Sequence, residues 1–321
     1  DKMWQFQKQA SQKVVDQFYK DQLPAIINNN LSDLRTTYEQ IKEKQQKLKQ
    51  LEEGKIPQQE LDQNWLQEQD KDKYKAQAKE QLFKDKDQQE LTQEEKDKIE
   101  DLAKKLSLKA KLEKEIKDLI SQFIDRVIPD SQYHAFREAL LDIHDRNETK
   151  AKQALFDKMW QFQKQASQKV VYQFYKDQLS QIVDANLTQL RDIRYQGSPQ
   201  QAVDQFVESI FTQYPDFREA LLDIHDRNET KAKQALFDKM WQFQKEKSQK
   251  LVDQFYKNNL EQLVQDNLTT LRQARERNDY ATVITDQLWN NLPQDFREAL
   301  LDIHDRNETK AKQALFDKMW Q

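Results

Sequence analysis

The chain repeats itself, and the repeat limits what it can fold into more than any other feature. Phe136 to Trp160 reads FREALLDIHDRNETKAKQALFDKMW, and the same string returns from Phe217 to Trp241 and from Phe296 to Trp320. The match extends over 136–164 and 217–245. A truncated copy opens the chain: Asp1–Leu23 equals Asp157–Leu179 except that Asp16 stands where the other has Tyr172. A looser echo follows each copy, Asn30-Leu31-Ser32-Asp33-Leu34-Arg35, Asn186-Leu187-Thr188-Gln189-Leu190-Arg191 and Asn267-Leu268-Thr269-Thr270-Leu271-Arg272. A wet helix face tolerates many substitutions. Identity on this scale therefore reports recent duplication or homogenising recombination. Cutting at each Asp-Lys-Met-Trp gives modules 1–156, 157–237 and 238–321, the last carrying a closing block. The chain opens and closes on Asp-Lys-Met-Trp-Gln, which reads as an excerpt of a longer array.

Composition sets the fold class. There are 2 Gly and 6 Pro in 321 residues, too few to supply the turns of a sheet protein. Charged residues make up 34%, yet aromatics reach 10% and apolar residues fall at helical spacing, which argues against disorder. Net charge is −4, from 52 Lys+Arg and 56 Asp+Glu with the signs interleaved. No polycationic face for nucleic acid follows from that pattern. Zero Cys excludes a disulfide framework, a thiolate zinc site and a Cys nucleophile. No apolar run is long enough to span a bilayer.

Within the block the stripe Phe136, Leu140, Ile143, Ala151, Ala154, Met159 and Phe162 continues through Ala166, Val170, Phe174, Ile182, Leu190 and Ile193. The steps are mostly three and four, or sums of these. With no Pro or Gly between Phe136 and Tyr195, the pattern predicts one nearly continuous helix, Asn147 and Asn186 falling in its seam as register-setting polar groups. Gly197-Ser198-Pro199 reads as a helix end, an N-cap and a first-turn proline. A short helix bearing Val203, Phe206, Val207, Ile210 and Phe211 follows, stopped at Tyr214-Pro215. Module three repeats this logic, with Asn278-Asp279 as cap and Leu292-Pro293 as stop. The expected architecture is all-α: an elongated rod of tandem antiparallel three-helix, coiled-coil-like bundles that share long connecting helices, spectrin-like in plan. Module one carries a charged insertion at about 41–128, with a break at Glu53-Gly54-Lys55-Ile56-Pro57 and helices at 57–84 and 92–127. Thr92 and Glu95 form a capping box for the second. That arrangement predicts one antiparallel leg more than the other modules have.

Chemistry-bearing patterns are few. His144 and Glu148 stand at i, i+4, and a zinc site needs a third and usually a fourth ligand. The copies at His225 and His304 lie in other modules, so a solvated or seam-edge histidine is the reading, with no metal and no cofactor. No phosphate loop, nucleophile elbow or metalloprotease signature occurs, and the chain reads as non-catalytic. Asn147-Glu148-Thr149 and Asn186-Leu187-Thr188 match the glycosylation sequon, which matters only for a secreted eukaryotic chain. Trp4, Phe6, Met159, Trp160, Phe162, Met240, Trp241 and Phe243 are expected to plug the joints between bundles. Trp65, Tyr74, Tyr195, Tyr214 and Trp289 are the candidate partner contacts, expected to be more exposed. The insertion reads as a solvated hairpin spacer, with a partner-binding coiled coil as the alternative.

The block DIHDRNETKAKQALFDKMWQFQK (142–164 and 223–245) and its companion QKVVDQFYKDQL (12–23) resemble the variable adherence-associated (Vaa) lipoprotein adhesins of mycoplasmas. The resemblance covers essentially the whole chain and lies in cassette style rather than in a catalytic motif. It implies a lipid-anchored bacterial surface protein, attached through a segment not in this chain. It also implies attachment to a receptor on host cells and antigenic variation by cassette exchange. The rod itself would not enter the membrane. A passive stalk or antigenic decoy and an intracellular spectrin-like scaffold are the competing readings, and both a monomer and side-by-side pairing stay open.

Overall fold

A computed structural model describes residues 2–84, 91–277, 283–284 and 286–321, apart from the side chains of residues 275, 277 and 287. Among the described residues every regular element is an α-helix and none is a strand. The chain divides into two compact units, Asp1–Gln163 and Lys164–Gln321.

The first unit contains α1 (Lys2–Asp21), α2 (Leu23–Asn29), α3 (Leu31–Glu52), α4 (Gln58–Gln67), α5 (Lys71–Phe83), α6 (Gln93–Val127) and α7 (Asp130–Ile143). The helix α8 (Glu148–Ala185) contributes its residues up to Gln163. The second unit contains the rest of α8, then α9 (Leu187–Tyr195), α10 (Gln200–Gln213), α11 (Pro215–Ile224), α12 (Glu229–Arg277), α13 (Asp286–Asn291), α14 (Gln294–Ile303) and α15 (Glu308–Trp320).

The predicted continuous helix from Phe136 to Tyr195 is broken twice. The first break lies inside the repeated block. Asp145 and Arg146 both take the left-handed conformation, at φ 53° and 60°. The Arg146 amide reaches back to the Leu141 carbonyl at 2.8 Å and the Asp145 amide to Asp142, the pairing of a Schellman helix end. Asn147 is no seam residue; its Oδ1 accepts from the Lys150 amide at 2.9 Å and caps α8. The same left-handed pair recurs at Asp226-Arg227 and Asp305-Arg306, followed by Asn228 and Asn307 as caps. Aspartate visits the left-handed region readily and arginine does so at a cost of about 1–2 kcal/mol. The compensation is visible: the Arg146, Arg227 and Arg306 guanidiniums each bond a Glu one helical turn or more upstream, Glu138, Glu219 and Glu298, at 2.7–2.8 Å. The second break is at Asn186, whose side-chain amide donates to the Ile182 carbonyl; Asn30 does the same to Ile26. At Asn267 the same bond forms to Leu263, but α12 runs on without interruption.

Other local readings also shift. Ser198 is left-handed at φ 56° and Pro199 is the N-cap of α10, so the cap sits one residue later than expected. Residues 57–84 form two helices rather than one, parted at Glu68–Asp70. The Thr92–Glu95 capping box is present on α6. Asn278-Asp279 lies outside the described residues.

Directions follow from the contacts. Phe174 stacks on Phe217 and Ser167 bonds Asp223, so α11 runs antiparallel to α8. Phe206 meets Phe237 and Glu208 pairs with Lys233, so α10 runs antiparallel to the head of α12. α10 and α11 are thus one returning leg, kinked at Tyr214-Pro215 and longer than the short return helix expected. Between α8, α9, this leg and the head of α12 lies a core of Val171, Val183, Leu190, Phe206, Phe211, Leu236 and Phe237. The next core joins α12 to α13, α14 and α15 through Val252, Leu271, Trp289, Phe296, Leu315 and Phe316.

Unit 1 has the same plan with a longer hairpin. Successive ion pairs join α3 and α4 to α6 in reverse order: Asp33 with Arg126, Lys44 with Glu115, Glu52 with Lys109, Asp62 with Lys104. Farther out, Trp65 and Ala78 pack with Ile99 and Ala103. The chain therefore does not reverse at Gly54, which sits at φ 68° with open space around it. α3, α4 and α5 make one outward leg and α6 the single return. The predicted extra leg is absent because Gly54–Pro57 offsets the helix axis instead of turning it back.

The Asn caps give a discriminating test. Asn228→Ala is expected to cost about 1 kcal/mol, read as a lower urea midpoint. In an uninterrupted helix the same change would stabilise, since Ala has the higher propensity.

Candidate functional site: the repeated turn and the module joint

The turn His-Asp-Arg-Asn places a carboxylate against the preceding long helix in every module. Asp142, Asp223 and Asp302 are buried. Each accepts from a serine hydroxyl one helix away: Ser11 at 3.0 Å, Ser167 at 2.9 Å and Ser248 at 3.0 Å. Gln7 adds an amide donor to Asp142 and Gln244 adds one to Asp302. Arg146, Arg227 and Arg306 of the turn bond the same carboxylates at 3.0–3.3 Å. A buried charge is tolerated when paired and saturated with donors, and this one is. The second aspartate of each turn faces a lysine: Lys8–Asp145 at 2.6 Å, Lys164–Asp226 at 2.9 Å, Lys245–Asp305 at 3.3 Å.

Below the clasp lies an aromatic stack. Phe18 on Phe136, Phe174 on Phe217 and Phe255 on Phe296 are stacked with centroids 3.7–3.8 Å apart. Tyr19, Tyr175 and Tyr256 meet the same rings edge-on, and burial pushes each phenol up to about 12.

In unit 2 the clasp also receives groups from the module before. Arg191 of α9 forks onto Asp302 at 2.9 and 2.6 Å and approaches Glu298 at 3.3 Å. Arg194 bonds Asp305 at 2.9 Å and lies over the Trp241 ring, whose Nε1 donates to Asp305 at 2.8 Å. Trp241 thereby belongs to one core and is bonded to the turn above the next.

Constant residues also meet cassette-specific ones. The largely buried lysine at Lys152, Lys233 and Lys312 pairs with a different acid of the return leg each time, Asp125, Glu208 and Asp286, at 2.7–2.9 Å. Trp160 stacks on Tyr38, whereas its copy Trp241 carries Arg194.

The sequence-expected joint residues divide. Met159, Trp160, Met240 and Trp241 are buried, and Phe162 and Phe243 are half-buried. Trp4 and Phe6 are exposed and plug nothing among the described residues; no counterpart of Tyr38 or Arg194 lies over Trp4, which keeps Lys8 and Asp145 as neighbours. The candidate contacts divide as well. Trp65 and Trp289 are buried, the first in the small core of the long hairpin and the second in the core that joins α12 to α15; Lys71 and Lys75 lie over the first ring and Lys312 over the second. Tyr74 and Tyr214 are half-buried, Tyr214 edge-on to Phe174. Tyr195, beside Gly197 at the α9–α10 tip, is 75% exposed. Leu66 and Leu82 on the long hairpin are exposed too, and neither stood out in the sequence. The Asp–Ser clasp was missed as well; its signal was the shared survival of Gln-Lys-x-x-Ser and Asp-Ile-His-Asp-Arg across modules whose intervening residues differ.

Titration follows from burial. Burial holds His144, His225 and His304 below the ordinary histidine value, with nearby lysines adding to the effect. Hydrogen bonds from Gln7 and Ser11 hold Asp142 below the carboxylate range. Burial raises Asp305, but bonds from Trp241 and Arg194 outweigh it and the net shift is downward. Among the described residues no three His, Asp or Glu side chains gather as a metal site, and no helix is long and apolar enough to cross a membrane. No family model, no curated protein and no solved structure matches the chain.

Two outcomes are expected. Asp302→Ala strands Arg191 and Arg306 and removes the acceptor of Ser248, and is expected to lower unfolding free energy by about 3 kcal/mol in urea titrations. Both the histidines and the aspartates bind fewer protons folded than unfolded, so stability rises with pH through each range. Acidification from about pH 7 to 5 should lower the melting temperature modestly, and a steeper fall should follow below about pH 4. The double variant H225Q/H304Q should flatten the upper step and leave the lower one.

Proposed function

We propose that the chain is a repetitive, recombination-variable adhesin rod on a bacterial cell surface, non-catalytic, whose modules carry contacts for a receptor on host cells. The observation that carries this reading is the division of labour within each module. The block and its companion build one clasp and one stack three times over. The segment between them ranges from the short α9–α10 connection to the long α3–α6 hairpin without altering either. A constant frame with interchangeable tips is what cassette exchange requires, because every junction must deliver the same helix phase. The adhesive contacts belong on the tips, where Tyr195, Leu66 and Leu82 are exposed.

The test is saturable binding of the chain to cultured epithelial cells, with a variant lacking 157–237 as control. That deletion joins Phe156 to Asp238 and restores the Phe-Asp-Lys-Met-Trp register, so the variant should stay helical and melt cooperatively. Saturable binding that drops when residues 157–237 or residues 53–91 are removed supports the adhesin reading. Folded proteins that never bind above background would make this region a passive stalk or decoy. Failure of intact cells to expose the chain to surface labelling would favour an intracellular scaffold.

A further inference from the structure

The walls beside each α7–α8-type turn are repeated in every module, but what fills the space between them is not. In unit 1 Ile124, Leu140, Leu141, Ala151 and Leu155 line a cavity of about 180 Å³. Its lip is charged and bordered by Asp130, Arg137, Glu148 and Lys152. Arg137 is held to Asp125 at 2.8 Å and Lys152 to Glu148 at 2.6 Å. All the apolar walls except Ile124 belong to the repeated block, and their copies in module three are Leu300, Leu301, Ala311 and Leu315. Those copies pack in one core with Trp289, which is 4% exposed. Lys312, the copy of Lys152, lies over that indole, 5.7 Å from the ring centre. The acid paired with this lysine gives the register. Three residues beyond it on the return leg stand Ile128, Phe211 and Trp289 in modules one, two and three. Module one therefore has no ring where the other two bury one. The core around Trp289 is drawn from residues 252–319 alone, so a module fills this space from its own chain. The arginines that reach in from module two bond Asp302 and Asp305 instead.

We propose that the cavity of unit 1 binds a free, flat aromatic molecule of about indole size, seated as Trp289 is seated in module three. The chain itself shows that copies of these walls accept an indole and that the block lysine covers it, a cation–π contact. The size agrees, since an apolar cavity of about 150 Å³ holds benzene. The lip selects for a free molecule. A polypeptide carrying the same ring would have to part Arg137 from Asp125 or Lys152 from Glu148 to bring its backbone to the entrance, and would strand a partly buried charge.

Fluorine NMR of a fluorinated indole titrated with the full chain tests this. One saturable site per chain is expected. Ile128→Trp gives module one the residue of module three and should weaken uptake by about tenfold or more. Circular dichroism checks its fold; Leu141→Phe, at a half-buried wall position, replaces it if it does not fold. Trp289→Ala should do the reverse and create a second site, with a melting temperature that indole raises. N-acetyltryptophanamide should bind about tenfold or more weakly than indole. A parent chain that takes up no indole would overturn the proposal, as would uptake that the filled variants retain or a folded Trp289→Ala chain without a second site. Equal uptake of N-acetyltryptophanamide would overturn it too, because a partner's side chain would then fit as well as a free molecule.

Discussion

A buried carboxylate, held by a serine hydroxyl and an arginine, organises everything else in this molecule. Asp142, Asp223 and Asp302 each sit where a helix ends and the next begins. A charge in that position demands donors, and the donors come from the long helix alongside. That demand sets the distance and rotation of α7 against α1, of α11 against α8 and of α14 against α12. The stacked phenylalanines then need no search for register. The left-handed Asp-Arg pair, unfavourable in isolation, is retained because it aims the turn arginine back at the carboxylate it helps to satisfy.

The same economy explains how modules of different length share one plan. Outward and return legs diverge above the clasp and need only stay antiparallel. In module one that pairing is drawn out by ion pairs along α3, α4 and α6 and by two small cores around Leu61 and Trp65. In module two it closes at once through Gly197 and Ser198. The constant lysine opposite the return leg accepts an Asp or a Glu, at whatever position the cassette offers it. Such pairs are partly exposed and individually modest, so a cassette that lacks a good one loses little. The clasp allows no such freedom, which fits its identity in every copy.

Much of the fold was legible in the chain, for reasons that can be named. Pro199 reads as a helix start and Pro215 and Pro293 as stops, and each lies at a junction where the next helix begins, because a missing amide costs nothing in the first turn. Thr92 and Glu95 announced α6 by the reciprocal bonds they could make. The core face of α10 followed from spacing alone. The turn at 144–147 was illegible because it uses no Gly: Asp, Arg and Asn carry it, and their apolar neighbours keep a helical rhythm across the break. Gly54 misled in the opposite direction, ending a helix without reversing it. Trp65 and Trp289 looked like exposed anchors only because the cores that bury them are assembled from distant residues.

The amino-acid order by itself determined that the chain is helical, modular and built on one recurring block. Those properties come from turn residues, periodicity and identity, all of which are local. Tertiary structure alone decided which residues of the block meet. Ser11 and Asp142, or Arg191 and Asp302, lie more than a hundred residues apart. A carboxylate becomes an organising group only when burial removes its water, and burial is a property of the assembled helices.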